Sequence, residues 1–205
     1  MTGLKKTEEM EYNFDTIIEG EFITLKKVEL EDASEIYKWR TSESGRFLRH
    51  PSHYSLESQI KWIKSRTDTE INFIIYSNKS MEKVGMIGIY DVNFNDKVTT
   101  VGRLLLSESY LKKSNPYGLE ALLLIYDYVF NKMLFRKITG DILESNVEMF
   151  KLQKYLGMKQ EGYLNKHVLI NNNLHDLYIM SIFNEEFKYY QNKIKMFLYS
   201  FRETI

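Results

Sequence analysis

Two histidines three residues apart, His50 and His53, stand in a polar stretch at 41–54 that also holds Gly45 and Pro51. An imidazole there can take or give a proton near neutral pH. Asp91, within a strand-like segment, and Glu108, just after another, are the other candidates for a proton-accepting base, and Asp91 could instead bind an ammonium or hydroxyl group. Each has a plainer alternative: a solvated loop imidazole, or a surface ion pair. His167 and His175 fall in a hairpin pattern and read as structural. No His/Asp/Glu cluster has metal-ligand spacing, so no metal is expected. Cysteine is absent, which removes thiolate nucleophiles, disulfides and Cys-based zinc sites.

These groups need a frame, and hydrophobic periodicity supplies one. Strands are predicted at 22–28 (FITLKKV), 71–76 (INFIIY), 84–94, 99–106 (TTVGRLLL), 137–143 (KITGDIL), 159–164 and 174–183. Leu30, Ala33, Ile36 and Tyr37 repeat at helical spacing, with Glu31 and Asp32 where the helix dipole favours them. Ser55 caps a second helix whose apolar face is Leu56, Ile60 and Ile63. After a polar loop at 111–117, Leu119, Leu122, Leu123, Tyr126, Phe130 and Met133 mark a strong amphipathic helix. Met149, Leu152 and Leu156 share a face of another helix, which Gly157 stops. Phe187, Tyr190, Ile194, Phe197 and Phe201 predict a C-terminal helix. Antiparallel strands followed by βαβ units imply an α/β (α+β) fold, a mixed sheet of about seven strands with helices on both faces.

Size and charge narrow the class. The 205 residues suit one α/β domain with extensions, divided as 1–20, 21–186 and 187–205. Basic and acidic residues balance at 28 each with no block of like charge, so neither nucleic acid nor a membrane surface is an expected partner. The longest apolar runs, such as 121–126, fall far short of a membrane span. The first 20 residues lack the apolar core of a secretory signal, and a cytoplasmic location is expected.

The stretch VGRLLLSESYLKKSNPYGLEALLLIYDYVFNKMLFRKI resembles the acyl-CoA core of the GNAT N-acetyltransferase superfamily. ESNVEMFKLQKYLGMKQEGYL resembles that family's second signature, with Asn146, Gly157, Met158, Glu161 and Gly162 at its marked positions. Asp176, Tyr178 and Met180 resemble its last strand. The resemblance covers roughly residues 21–186. It implies acetyl-CoA as cosubstrate and a sheet that parts between the fourth and fifth predicted strands, 99–106 and 137–143. The pantetheine arm would add to the exposed edge through the backbone of Leu104, Leu105 and Leu106. One N–H near a bulge there would stabilise the oxyanion. The family's phosphate loop, R/Q-x-x-G-x-G/A, matches Lys113-Ser114-Asn115-Pro116-Tyr117-Gly118, with Lys112 beside it. Lys113 keeps a cation and Gly118 the close approach, while Pro116 removes one donor but suits the first turn of a helix. Asn146 matches the asparagine that holds the pantetheine arm. Gln153 stands where the family usually has a tyrosine that protonates the leaving thiolate, so water, another group or a purely positioning role is implied.

A second resemblance concerns the acceptor. KWRTSESGRFLRHPSHYSLESQIKWIKS resembles the opening of amino-sugar N-acetyltransferases, matched at Trp39, Arg40, Arg46, Ser55, Leu56 and Trp62, with Thr41 replacing an asparagine. It implies that Arg40, Arg46, His53 and Arg103 bind a nucleotide-linked amino sugar, because guanidinium pairs with phosphate in a fork. Apart from the resemblance, His50 and Asp91 are the candidate proton acceptors, with His53 and Glu108 as alternatives. Ribosomal-protein N-terminal amines and polyamines are the competing acceptors. A degenerate acyl-CoA-binding module without turnover is the competing class, with the aromatic helix at 187–201 as its interaction surface or a homodimer element.

Overall fold

The computed structural model describes residues 14–49, 54–112, 115–170 and 172–202. Eight strands form one sheet in the order β1-β2-β3-β4-β5-β6-β8-β7. They are β1 (Ile17–Glu19), β2 (Ile23–Lys27), β3 (Ile71–Ser77), β4 (Lys83–Asn93), β5 (Val98–Leu106), β6 (Lys137–Leu143), β7 (Lys159–Ile170) and β8 (Asn173–Phe183). Pairing is antiparallel throughout except between β5 and β6, which run parallel. The helices are α1 (Ala33–Thr41), α2 (Leu56–Lys64), the single turn α3 (Glu108–Leu111), α4 (Tyr117–Asp127), α5 (Val147–Tyr155) and α6 (Asn184–Tyr199).

Local chemistry explains the boundaries. Ser55 caps α2 by accepting the Ser58 N–H at 3.2 Å, as its sequence predicts. Gly157 ends α5 with φ +98°, and a Cβ there would run into the Tyr190 ring on α6. α4 does not stop at 127 but continues through a wider, π-type turn over Tyr128–Lys132. β1 adds an edge strand before residue 21, so the sheet starts earlier than expected. β7 runs to Ile170, past the predicted end at 164.

The strands separate two apolar layers. On one face, α4 and α6 bury Ala121, Leu122, Ile125, Tyr126, Phe187, Ile194 and Leu198 against Phe73, Ile87, Val101 and Ile138. On the other, α1 and α2 place Ile36, Trp39 and Ile63 over Ile74, Met86 and Leu105. Helix α6 is therefore part of the main core. Its outer face leaves Tyr189 and Met196 exposed. No helix among the described residues is long and apolar enough to cross a membrane.

Candidate active site

β5 carries the irregularity on which the site is built. Across β4 and β5, Met86 faces Leu105 but Gly88 faces Gly102, so β5 accommodates an extra residue. Arg103 takes it up with φ +56°, a conformation uncommon for a non-glycine residue. On its other side β5 pairs with β6 only at Val98–Lys137, Thr99–Ile138 and Thr100–Thr139. Beyond Thr100 the two central strands part. The Ser107 N–H donates to the Val84 carbonyl at 2.8 Å. The alternation of an antiparallel ladder then turns the N–H and C=O groups of Leu104 and Leu106 the opposite way, into the gap.

The start of α4 closes one end of this gap. Asn115 Oδ1 accepts the Tyr117 N–H at 3.1 Å, and Asn115 Nδ2 donates to the Tyr110 carbonyl at 2.7 Å. Pro116 is the cap residue itself, one position before the expected first turn, and its carbonyl accepts the Glu120 N–H at 2.8 Å. The N–H groups of Gly118 and Leu119 have no intrahelical acceptor, as the first turn of a helix requires. A Cβ on Gly118 would meet only Leu104 Cδ2 and Leu106 Cδ1, both at an ordinary 3.7 Å. The protein's own packing does not demand glycine there, whereas a ligand lying close to the backbone would. Two free amides at a positive dipole end fit a phosphate, and unpaired strand edges fit a pantetheine arm.

Other predicted residues are distributed unevenly. Asn146 caps α5 through Oδ1, which accepts the Met149 N–H at 3.3 Å, while its Nδ2 makes no hydrogen bond among the described residues. Lys112 is exposed beside the loop, and Lys113 and Ser114 lie outside the described residues. Tyr117 contributes only backbone: its side chain is buried and its hydroxyl meets Ser77 Oγ at 3.0 Å. Gln153 is 4 % exposed and turned inward. Its Oε1 accepts from the Tyr126 hydroxyl and its Nε2 from the other end reaches Met149 Sδ at 3.8 Å. Both polar ends of the Gln153 amide thus serve the core. Burial pushes the Tyr126 hydroxyl far above its ordinary pKa, so it stays protonated.

The opposite face of the sheet, under α1 and α2, holds a polar cluster. Arg103 pairs with Glu70 at 3.2 Å, donates to Asn72 Oδ1 at 2.9 Å and lies over the rings of Tyr90 and Trp62. Its guanidinium is thus occupied, where the sequence suggested one facing an open pocket. Arg40 lies over the Tyr54 ring and donates to the Arg49 carbonyl at 2.8 Å. Arg40 Nε is buried with no acceptor among the described residues. Burial depresses the Arg40 pKa, opposed by Tyr54 and reinforced by Arg103. Arg49 forms an ion pair with Asp141, a residue of β6. Arg46 stands apart, paired with Glu43 at 2.8 Å and stacked on Phe47. Asp91 is exposed at φ +51° in a second irregularity of β4, and no hydrogen bond joins it to the cluster. Glu108 accepts the Glu43 N–H at 3.0 Å. His50 and His53 lie outside the described residues. Sequence reasoning missed Tyr90, Glu70 and Asp141. Each sits in an unremarkable strand or turn, and only the shared face of the folded sheet singles it out. No grouping of His, Asp or Glu among the described residues could hold a metal ion.

Comparison with known proteins places this geometry. Residues 23–159 match the family model described as Acetyltransferase (GNAT) domain. An uncharacterized N-acetyltransferase of Bacillus subtilis (strain 168) is 24% identical over 166 residues, spanning 80% of this chain and 95% of the relative. A GCN5-related N-acetyltransferase from Brucella melitensis superposes with TM-score 0.76 at 17% identity, covering 89% of this chain and 85% of that one. Spermidine N-acetyltransferase from Vibrio cholerae, solved with CoA and spermine, gives TM-score 0.73 at 16% identity over 81% of this chain and 98% of its own.

Proposed function

The chain belongs to the GNAT acetyltransferase family, and on that premise we propose that it moves the acetyl group of acetyl-CoA onto the primary amine of a small molecule, a nucleotide-linked amino sugar. The neutral amine nitrogen attacks the thioester carbonyl, the C–N bond forms, the C–S bond breaks, and the proton lost from nitrogen is balanced by one gained at sulfur, which releases the thiol of coenzyme A. The backbone of Leu104 and Leu106 holds the pantetheine arm, and the amides of Gly118 and Leu119 hold the pyrophosphate. Lys112, Lys113, Ser114 and the backbone at Asn115 complete the phosphate loop, and Asn146 Nδ2 donates to the arm. The observation that carries this reading is the parting of β5 from β6 beyond Thr100. A sheet that leaves its central strand edges unpaired loses hydrogen bonds unless something else supplies them.

The amino-sugar acceptor is supported by Arg40. Its buried Nε lacks an acceptor, and an anionic group on the substrate would supply one. Around it Glu70 neutralises Arg103 and Asp141 neutralises Arg49, which leaves Arg40 as the uncompensated cation, a balance that opposes a polycation such as spermidine. Two measurements test the proposal. Acetyl-CoA should raise the melting temperature, and thiol release should follow with a UDP-linked amino sugar ahead of spermidine or a peptide amine. Stabilisation without thiol release on any amine would identify a binding module instead. No stabilisation would remove the acyl-CoA reading.

A further inference from the structure

Resting on the acetyl-transfer reading above, the geometry points to Asp141 as the counter-ion that receives the ammonium group of the acceptor, with Arg49 as the internal cation that this ammonium displaces. The parallel register fixes where Asp141 stands. Thr100 faces Thr139 at the last pair of β5 and β6. Two residues on, Gly102 and Asp141 face each other across the beginning of the gap. Asp141 is held from its other side by pairing with Ile179 of β8, so the carboxylate is on a fixed strand and not on a loop.

Gly102 offers no side chain, and the Tyr90 hydroxyl takes the space: a Cβ on Gly102 would lie 2.7 Å from it. The same hydroxyl donates toward Asp141 Oδ1 at 3.4 Å. Tyr90, the glycine and the carboxylate therefore meet where the strands separate, next to the bulge at Arg103. Burial raises the Tyr90 pKa, so the phenol keeps its proton and remains a donor.

The ion pair that covers Asp141 is built to be exchanged. The Asp141 side chain is 20% exposed and Arg49 53% exposed. An ion pair with one partner this open to water contributes little to stability. The other charged groups facing this point are engaged elsewhere: Arg103 with Glu70 and Asn72, Arg40 with the Arg49 carbonyl. An incoming alkylammonium can replace the guanidinium one for one without leaving a buried charge unpaired. A neutral or anionic group at that place cannot. Asp141 thus acts on specificity, by selecting an amine as its ammonium ion and positioning it beside the thioester; the ammonium gives up one proton before attack, because only the neutral nitrogen has a lone pair.

Two substitutions of opposite expected sign test this. With the amine of the panel above that releases thiol fastest, Asp141→Asn should raise KM for the amine at least tenfold while leaving KM for acetyl-CoA within about twofold. Arg49→Gln should lower the amine KM, because the competitor is gone. Equal increases in both variants would make the pair merely structural and overturn the assignment, as would an unchanged amine KM in Asp141→Asn. A readout independent of turnover is the melting temperature of the CoA-bound protein in n-propylamine against n-propanol. Wild type should discriminate in favour of the amine, and Asp141→Asn should not. Discrimination in wild type that the variant loses, with no thiol release from any amine, would leave Asp141 as the ammonium anchor and overturn the acetyl-transfer reading. Absence of discrimination in wild type would overturn the anchor.

Discussion

Asn146 shows how one side chain can carry two tasks at opposite ends of its amide. Oδ1 caps α5 by accepting the Met149 N–H, and in the proposed function Nδ2 donates to the pantetheine arm. The two tasks come apart on substitution. Asn146→Ala loses both, costing about 1 kcal/mol of stability, which lowers the melting temperature by roughly 2–4 °C in a chain of this size. Asn146→Asp keeps an accepting oxygen and adds a negative charge at a helix N-terminus, where it is favoured. It should melt with wild type yet raise KM for acetyl-CoA about tenfold, the weight of one lost hydrogen bond. A sequence motif marks this asparagine for either role; the fold shows the cap, and the contact with coenzyme A belongs to the proposal. Asp141 is the opposite case. In KITGDIL it reads as one polar position of a strand, and only the register with Thr100 reveals that it faces the bulge.

At the scale of elements, α4 is set in place by its own buried carboxylate. Glu120, 4 % exposed, accepts the N–H groups of Glu21 at 2.7 Å, Phe22 at 2.9 Å and Ile23 at 3.0 Å, tying the turn before β2 to the helix that heads the gap. Burial raises the Glu120 pKa, although the three donors pull it down. A carboxyl with a raised folded pKa binds its proton more tightly when folded, so its contribution to stability is full below the unfolded pKa and declines as pH rises through the folded one. Urea unfolding of wild type and Glu120→Gln across that window should show wild type losing ground to the variant as pH rises. The Gly118 position separates stability from binding. Gly118→Ala meets only ordinary contacts and a helix that favours alanine, so the fold should gain up to about 1 kcal/mol. Acetyl-CoA affinity, read by calorimetry, should nevertheless fall, because the methyl group stands over the free amides.

For the whole molecule, the long periodic segments were legible and the short or strained ones were not. Alternation in FITLKKV and KITGDIL, and the apolar run INFIIY, predict strands that the fold contains, since each packs one or both faces into the apolar layers. The three residues of β1 and the single turn of α3 are too short for periodicity to register. The continuation of β7 through Asn165, Lys166 and His167 is polar enough to read as a loop, and it bulges, with Lys166 at φ +49°. The left-handed backbone at Arg103 leaves no trace in composition, because no glycine announces it. Yet that residue and the three-pair limit of β5 with β6 create the open edge on which the proposed acyl-CoA site rests. Amide hydrogen exchange at Leu104 and Leu106, with and without coenzyme A, reads that edge directly. These amides should exchange fast in the free protein and slow markedly when saturating coenzyme A pairs with them; equal rates at full occupancy would contradict binding in the gap.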